Sequence, residues 1–280
     1  MNDKSDKATL TRNRYSVSLQ DQAVKNNSGE IIIEQAITLE VDEVGEFTLM
    51  CTPTDTEALA VGFSYSEGII ESIDDVAAIR RPSQQQPGLI GIRVKAPSRT
   101  AVRRNMIVAS SCGLCGSRTI ERTLAETRPA GFTLTLPREL LLQMPDRLFA
   151  AQRVYPATRA AHAAGIFNQN GEIVAFAEDI GRHNALDKAI GKCLLDRVSI
   201  KGLGVILSSR ASFEMVSKAA RAGLEMVLAS GAVTSLAIEA AELWNLTLCG
   251  PTRNDGASIH THPERITLND FSITRKFDQR

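Results

Sequence analysis

A chain of 280 residues can bury one large core or two ordinary ones, and 43% hydrophobic with 23% charged residues is normal globular composition. Its 32 basic and 32 acidic residues cancel, so no global field draws it to nucleic acid or to an anionic membrane. Any anion it binds must be held by a local basic cluster.

The start, MNDKSDKATLTRNRYS, has no apolar stretch of the secretory kind. No run of about 18 uncharged apolar residues occurs, which argues against a membrane span; the most apolar region, 222–244, is broken by Glu225, Glu239 and Glu242. The expectation is a cytoplasmic protein with reduced thiols. Of the five cysteines, Cys51, Cys112, Cys115, Cys193 and Cys249, only Cys112 and Cys115 lie close together. That pattern is no disulfide framework and points to metal, redox or sulfur chemistry at the CxxC.

In chain order, residues 1–28 read as a flexible arm ending in the turn-like Lys25-Asn26-Asn27-Ser28-Gly29. Strands are expected through IIIEQAITLEV and GEFTLM, with Gly45 at a hairpin. A helix follows over 55–67, with Thr54 or Asp55 near its N-cap and Gly68 after its end. Residues 78–94 read as strand, loop, strand. The strand NMIVAS runs into CGLCG, and 118–126 has helical character. These place an N-terminal α+β domain over 29–136 and a C-terminal domain over 137–280, joined near Leu136-Pro137, where the helix-like LLLQMPDRLFAAQ begins.

The second half is more regular. AGIFNQNGEIVAFAED predicts a hairpin turning at Asn170-Gly171. The helix over 179–197 carries Leu186, Ala189, Ile190, Cys193 and Leu194 on one apolar face. Strand GVILS, helix 212–223, strand EMVLA, helix 233–244, strand LTLCG and strand ASIHTH complete an α/β layered domain with a largely parallel sheet.

Four connections follow strand ends: 178–183, 208–212, 230–231 and 250–256. Ligands bind at that edge of open α/β sheets, and helix N-termini there favour anions. Arg182 and His183, Arg210 and Arg253 stand on three of these connections. Arg182 and His183 fall on the apolar side of their helix in its first turn, so they are expected to point across the sheet edge. Taken singly each reads as surface charge or a capped core histidine; their convergence on one edge predicts a phosphate-bearing ligand.

In Cys112-Gly113-Leu114-Cys115 the spacing lets both sulfurs meet one centre, and Gly113 and Gly116 permit a tight, φ-positive backbone. Ser117 is placed to cap a following helix, and Arg103, Arg104 and Arg118 add positive charge. Such surroundings raise the reactive thiolate fraction. A structural zinc site would need further ligands, with Cys249 or His183 as candidates, and a thioredoxin-like dithiol would need a compact redox fold. Zinc deaminases use H-x-E followed by P-C-x-x-C; no proline precedes Cys112, and His162 follows the CxxC and is itself followed by Ala163-Ala164.

SSCGLCGS at 110–117 resembles the cysteine motif of the formate dehydrogenase accessory sulfurtransferase family. So do CTPTDTEALAVGFSYSEGII at 51–70, AEDIGRHNALDKAIG at 177–191, SSRASFEMVSKAARAG at 208–223 and TSLAIEAAELWNLTLCG at 234–250. The resemblance spans about 30–266. It implies a carrier that accepts sulfur from a cysteine desulfurase as a persulfide and passes it to the molybdenum bis(molybdopterin guanine dinucleotide) cofactor before insertion into formate dehydrogenase. The cofactor is then bound substrate, with no permanent cofactor and no metal ligands. Cys112 matches the persulfide-bearing cysteine and Cys115 its partner. The resemblance further implies a C-terminal domain of cytidine-deaminase-like fold and a cofactor-contacting loop at Pro251-Thr252-Arg253-Asn254-Asp255-Gly256. A homodimer is the expected assembly. Where many members carry phenylalanine, Pro251 stands; where they have tyrosine there is none near His260, and Ala229-Ser230-Gly231-Ala232-Val233 replaces their serine-arginine-serine-alanine-proline. A zinc-stabilised cofactor chaperone and a dithiol oxidoreductase are the competing readings; a zinc assay and a stable Cys112–Cys115 disulfide without persulfide would distinguish them.

Overall fold

The computed structural model describes residues 7–16, 24–86, 88–95, 106–108, 124 and 127–268. Two strands, β1 (Thr9–Ser16) and β2 (Lys25–Ile32), pair antiparallel through all eight residues of each. The segment expected to be a flexible arm therefore contains a strand. Its Thr-rich TLTRNRYS favours extended backbone, and β2 satisfies the backbone groups of one of its edges.

The N-terminal lobe is built on β3 (Gln35–Val41), β4 (Gly45–Cys51), β5 (Val76–Arg80), β6 (Leu89–Val94) and β7 (Met106–Val108), in sheet order β5-β6-β3-β4-β7. In β3 and β4 every second residue is buried, the pattern of a sheet with one covered face. Ile37, Leu39, Val41, Phe47 and Leu49 pack beneath α1 (Thr56–Ser66), which contributes Leu59, Ala60, Val61 and Phe63. Asp55 stands at the N-cap of α1 as expected, but without a side-chain capping bond; its carboxylate reaches Lys192 instead, at 2.8 Å.

The C-terminal lobe holds β8 (Leu136–Pro137), α2 (Arg138–Ala151), α3 (Val154–Thr158), β9 (His162–Phe167), β10 (Ile173–Asp179), α4 (Arg182–Leu195), β11 (Gly204–Leu207), α5 (Phe213–Arg221), β12 (Met226–Ala229), α6 (Ser235–Leu243), β13 (Thr247–Arg253), β14 (Gly256–Thr261) and β15 (Ile266–Thr267). Its sheet runs β10-β9-β11-β12-β13-β14. Only β11/β12 and β12/β13 pair parallel; β10/β9, β9/β11 and β13/β14 are antiparallel. The sheet is thus mixed rather than largely parallel, because short hairpin turns flank a central βαβαβ unit and hairpin neighbours must run antiparallel.

Both faces of this sheet are covered. Val205, Leu207, Val227, Ala229 and Leu248 meet α4, α5 and α6 on one side. Ile206, Met226, Leu228 and Cys249 meet Leu141, Met144 and Leu148 of α2 on the other. Continuous burial along β11 and β12 follows from that sandwiching. Upstream of α2, Ala130 already donates its N–H to the Trp244 carbonyl, and the N–H groups of Thr133 and Leu134 donate to the Glu225 carboxylate. Residues 130–136 thus pack with the C-terminal lobe. α1 and α4 cross in direct backbone contact and join the two lobes.

Candidate anion-binding edge

Because β11, β12 and β13 are parallel neighbours, their C-terminal ends lie side by side. The antiparallel strands add to the same edge: β9 begins there with His162, which pairs with Asp179 at the end of β10. On the far side, Nε2 of His260 lies 2.7 Å from the carbonyl oxygen of Gly250.

The turn between β10 and α4 is set by a buried carboxylate. Oδ1 of Asp179 accepts the Gly181 N–H at 2.8 Å and the Asn184 amide at 3.0 Å. Its Oδ2 accepts the Thr52 N–H at 3.0 Å and stands 2.6 Å from Nζ of Lys188. Both charged side chains are fully buried, and such a pair is tolerated because each remaining polar atom is satisfied. Lys188 also donates to the Thr52 carbonyl at 2.8 Å, Asn184 to the Met50 carbonyl at 2.8 Å, and the Ile180 N–H to the Thr52 hydroxyl at 3.2 Å. The end of β4 is therefore sewn to the AEDIGRHN turn.

Arg182 opens α4, and its Nε is buried without a hydrogen-bond partner among the described residues. His183 stands beside it, 2.8 Å from the Glu214 carboxylate, so the first turns of α4 and α5 are neighbours. Burial, then the Arg182 and His183 charges, hold the His162 imidazole below its ordinary pKa, against an opposing pull from Asp179. Ser212, at the N-cap of α5, has a buried hydroxyl that caps nothing. The connections 208–212 and 230–233 touch through the Ala211–Val233 bridge. Gly231 and Gly250 are required there: a Cβ on Gly231 would lie 2.9 Å from the Arg210 nitrogen, and one on Gly250 2.9 Å from the Gly231 carbonyl oxygen.

The edge brings Arg182 and His183 together, with Arg210 exposed on the neighbouring connection. The 251–256 segment differs from the open loop expected. β13 continues through Pro251, Thr252 and Arg253, which pairs with Gly256, leaving only Asn254 and Asp255 outside strands. Asn-Asp-Gly between two strands is a tight-hairpin signal, and it was legible in the sequence. Arg253, Asn254 and Asp255 are exposed, and Asn254 donates to Asp146 of α2 at 2.8 Å. Thr252 is buried, its hydroxyl without a hydrogen-bond partner among the described residues. Attention to the basic residues at strand ends passed over Asp179, Lys188 and His162: Asp179 closes β10, Lys188 lies inside α4 and His162 begins β9. Ser212 carried a signal in its position before a helix.

Cys112 and Cys115, with Ser117, Arg103, Arg104 and Arg118, lie outside the described residues. β7 pairs parallel with β4, Leu49 opposite Val108, so both strands head toward the end where Met50 and Thr52 meet Asn184 and Asp179. Cys112 follows Val108 by four residues. The other three cysteines are buried. Burial, with Asp179 adding, pushes the Cys51 thiol up to about 12; burial, with Asp196 adding, takes Cys193 to about 11; burial alone takes Cys249 to about 12. Among the described residues no three His, Cys, Asp or Glu side chains are grouped to hold a metal ion, and no helix is long and apolar enough to cross a membrane.

The model of the FdhD/NarQ family matches residues 32–267, from the end of β2 to β15. The chain belongs to the FdhD/NarQ family. The family region thus takes in both large sheets, the AEDIGRHN turn and the CxxC. The Sulfur carrier protein FdhD of Bordetella parapertussis is 36% identical over 243 residues, covering 85% of this chain and 88% of that one. Its namesake from Saccharolobus solfataricus is 36% identical over 254 residues, covering 89% and 96%. The same fold is seen in a crystal structure of a protein from Desulfotalea psychrophila. It superposes with a TM-score of 0.77 at 22% identity, over 93% of this chain and 100% of that one.

Proposed function

We propose that this chain is a cytoplasmic sulfur carrier that loads sulfur on Cys112 and delivers it to the molybdenum bis(molybdopterin guanine dinucleotide) cofactor for formate dehydrogenase. In loading, the Cys112 thiolate attacks the outer sulfur of a cysteine desulfurase persulfide. The donor's S–S bond breaks, its thiolate leaves, and Cys112 becomes the persulfide. Cys115 assists release: its thiolate attacks Cys112 Sγ, hydrosulfide leaves toward the acceptor, and the Cys112–Cys115 disulfide that forms is reset by a cellular dithiol.

The observation that carries this reading is the state of the other thiols. Cys51, Cys193 and Cys249 are buried with pKa values pushed up to about 12, 11 and 12, far from thiolate at neutral pH. Sulfur chemistry in a member of a family whose relatives are named sulfur carriers then falls to Cys112 and Cys115. The direction of β7 toward the sewn end of β4 supports delivery to the anion-binding edge, where a guanine dinucleotide would place its pyrophosphate against Arg182 and helix N-termini.

Intact-mass spectrometry after incubation with a cysteine desulfurase and cysteine tests the reading. A gain of about 32 mass units, one sulfur atom, is expected on the wild-type protein and not on Cys112→Ala. Normal formate dehydrogenase activity in cells carrying only Cys112→Ala would overturn it.

A further inference from the structure

The AEDIGRHN turn carries more buried polar machinery than a helix start requires. Four donors converge on the Asp179 carboxylate: the Gly181 and Thr52 N–H groups, the Asn184 amide and the Lys188 ammonium. An ordinary N-cap needs one or two such bonds. A buried ion pair contributes little net stability compared with apolar residues of similar size. What this one does do is hold the Gly181 N–H, directly ahead of Arg182, while Thr52 of the same network holds the Ile180 N–H. Arg182 then enters the first turn of α4 with Nε buried and unpartnered among the described residues. The Ser212 hydroxyl, without a hydrogen-bond partner among the described residues, belongs to the neighbouring helix start, which the His183–Glu214 contact holds alongside.

We propose that Asp179, Lys188 and Asn184 are positioning residues for ligand binding: together they hold the turn so that the partly exposed guanidinium of Arg182, its Nε anchored in the interior, meets a phosphate oxygen at the sheet edge. This inference rests on the reading that the edge receives the cofactor's pyrophosphate, and it adds which residues prepare the site. A guanidinium fixed in advance loses less freedom when it binds, which is the physical gain of a preset turn. Because Thr52 and Met50 are bound into the same network, the arginine's pose is also tied to the end of β4.

The test is a double-mutant cycle read by calorimetry, with inorganic pyrophosphate and guanosine diphosphate as probes. Arg182→Ala should weaken binding about ten- to a hundredfold. Asn184→Ala leaves the charge pair in place, removes one donor to Asp179, and should weaken binding about two- to tenfold. In the Arg182→Ala background, Asn184→Ala should cause no further loss, because its effect runs through the arginine. A merely structural role would not produce that non-additivity. The pair itself is probed with Asp179→Asn/Lys188→Met, which leaves no uncompensated buried charge, comparing affinities of the folded protein after a thermal melt. Binding unchanged in folded Asn184→Ala, or a full additive loss in the Arg182→Ala background, would overturn the inference. Absence of binding to the wild-type protein would instead overturn the ligand assignment of the edge.

Discussion

Gly62 and Gly191 meet where α1 crosses α4, each set against the other helix's backbone. A Cβ on Gly62 would lie 1.8 Å from the carbonyl oxygen of Asp187, and one on Gly191 1.9 Å from that of Ala58. Neither obstacle is a flexible side chain, so the helices would have to separate. Gly62→Ala or Gly191→Ala should therefore destabilise the protein by about 3 kcal/mol or more, despite alanine's better helix propensity. Denaturant melts check this; a midpoint shift toward higher stability in either variant would mean the lobes do not meet through this crossing.

Native alkylation separates the cysteines. With Cys51, Cys193 and Cys249 buried and their thiols raised by burial, iodoacetamide at neutral pH should modify at most Cys112 and Cys115. Modification of all five cysteines is expected only after denaturation. Peptide mapping decides it, and rapid native labelling of Cys249 would remove the argument that assigns sulfur chemistry to the CxxC.

Most of the element order was legible because periodicity and turn chemistry are local. Cys193 fell on an apolar stripe and is core; Asn170-Gly171 made its turn, with Gly171 at φ 68°. The antiparallel pairing of β9 with β11 was not legible, since it joins segments distant in sequence, whereas the two hairpins that also make the sheet mixed carry local turn signals. The candidate site divides the same way. Arg182 and His183 could be placed at a helix start from spacing alone. Asp179 could not be recognised as the centre of a network, because its partners Thr52 and Lys188 come from two separate elements and only folding brings them together. The 251–256 segment is a tight hairpin rather than an open loop, because Gly256 closes a two-residue turn at Asn254-Asp255.

Acid should weaken the fold through His162. Its folded-state pKa lies below the ordinary 6.5 because of burial first, then the Arg182 and His183 charges, with Asp179 opposing. Between the folded value and 6.5 the unfolded chain binds the extra proton, so stability rises with pH across that window and falls as pH drops through it. His162→Gln should flatten this part of the stability profile. Urea melts between about pH 7 and pH 5 measure it; an unchanged slope in His162→Gln would assign the acid sensitivity elsewhere.

The arginines at the edge should not be equivalent toward a nucleotide. Arg253 and Arg210 are exposed, and Arg253 ends a strand at a tight turn whose Asn254 is bound to Asp146. Arg182 is partly buried, its Nε without a hydrogen-bond partner among the described residues. A charge-assisted bond from a partly buried arginine is worth more than one from a solvated side chain, and it is less sensitive to salt. Guanosine diphosphate affinity should fall about ten- to a hundredfold in Arg182→Ala and less than about fivefold in Arg253→Ala or Arg210→Ala. The small losses should fade as salt is raised, while the Arg182 loss persists. All three variants should still gain one sulfur atom on Cys112, because loading does not use the edge. Calorimetry at two salt concentrations, with intact mass on the same samples, reads both properties. A dominant loss in Arg253→Ala would move the phosphate site out to the β13–β14 hairpin.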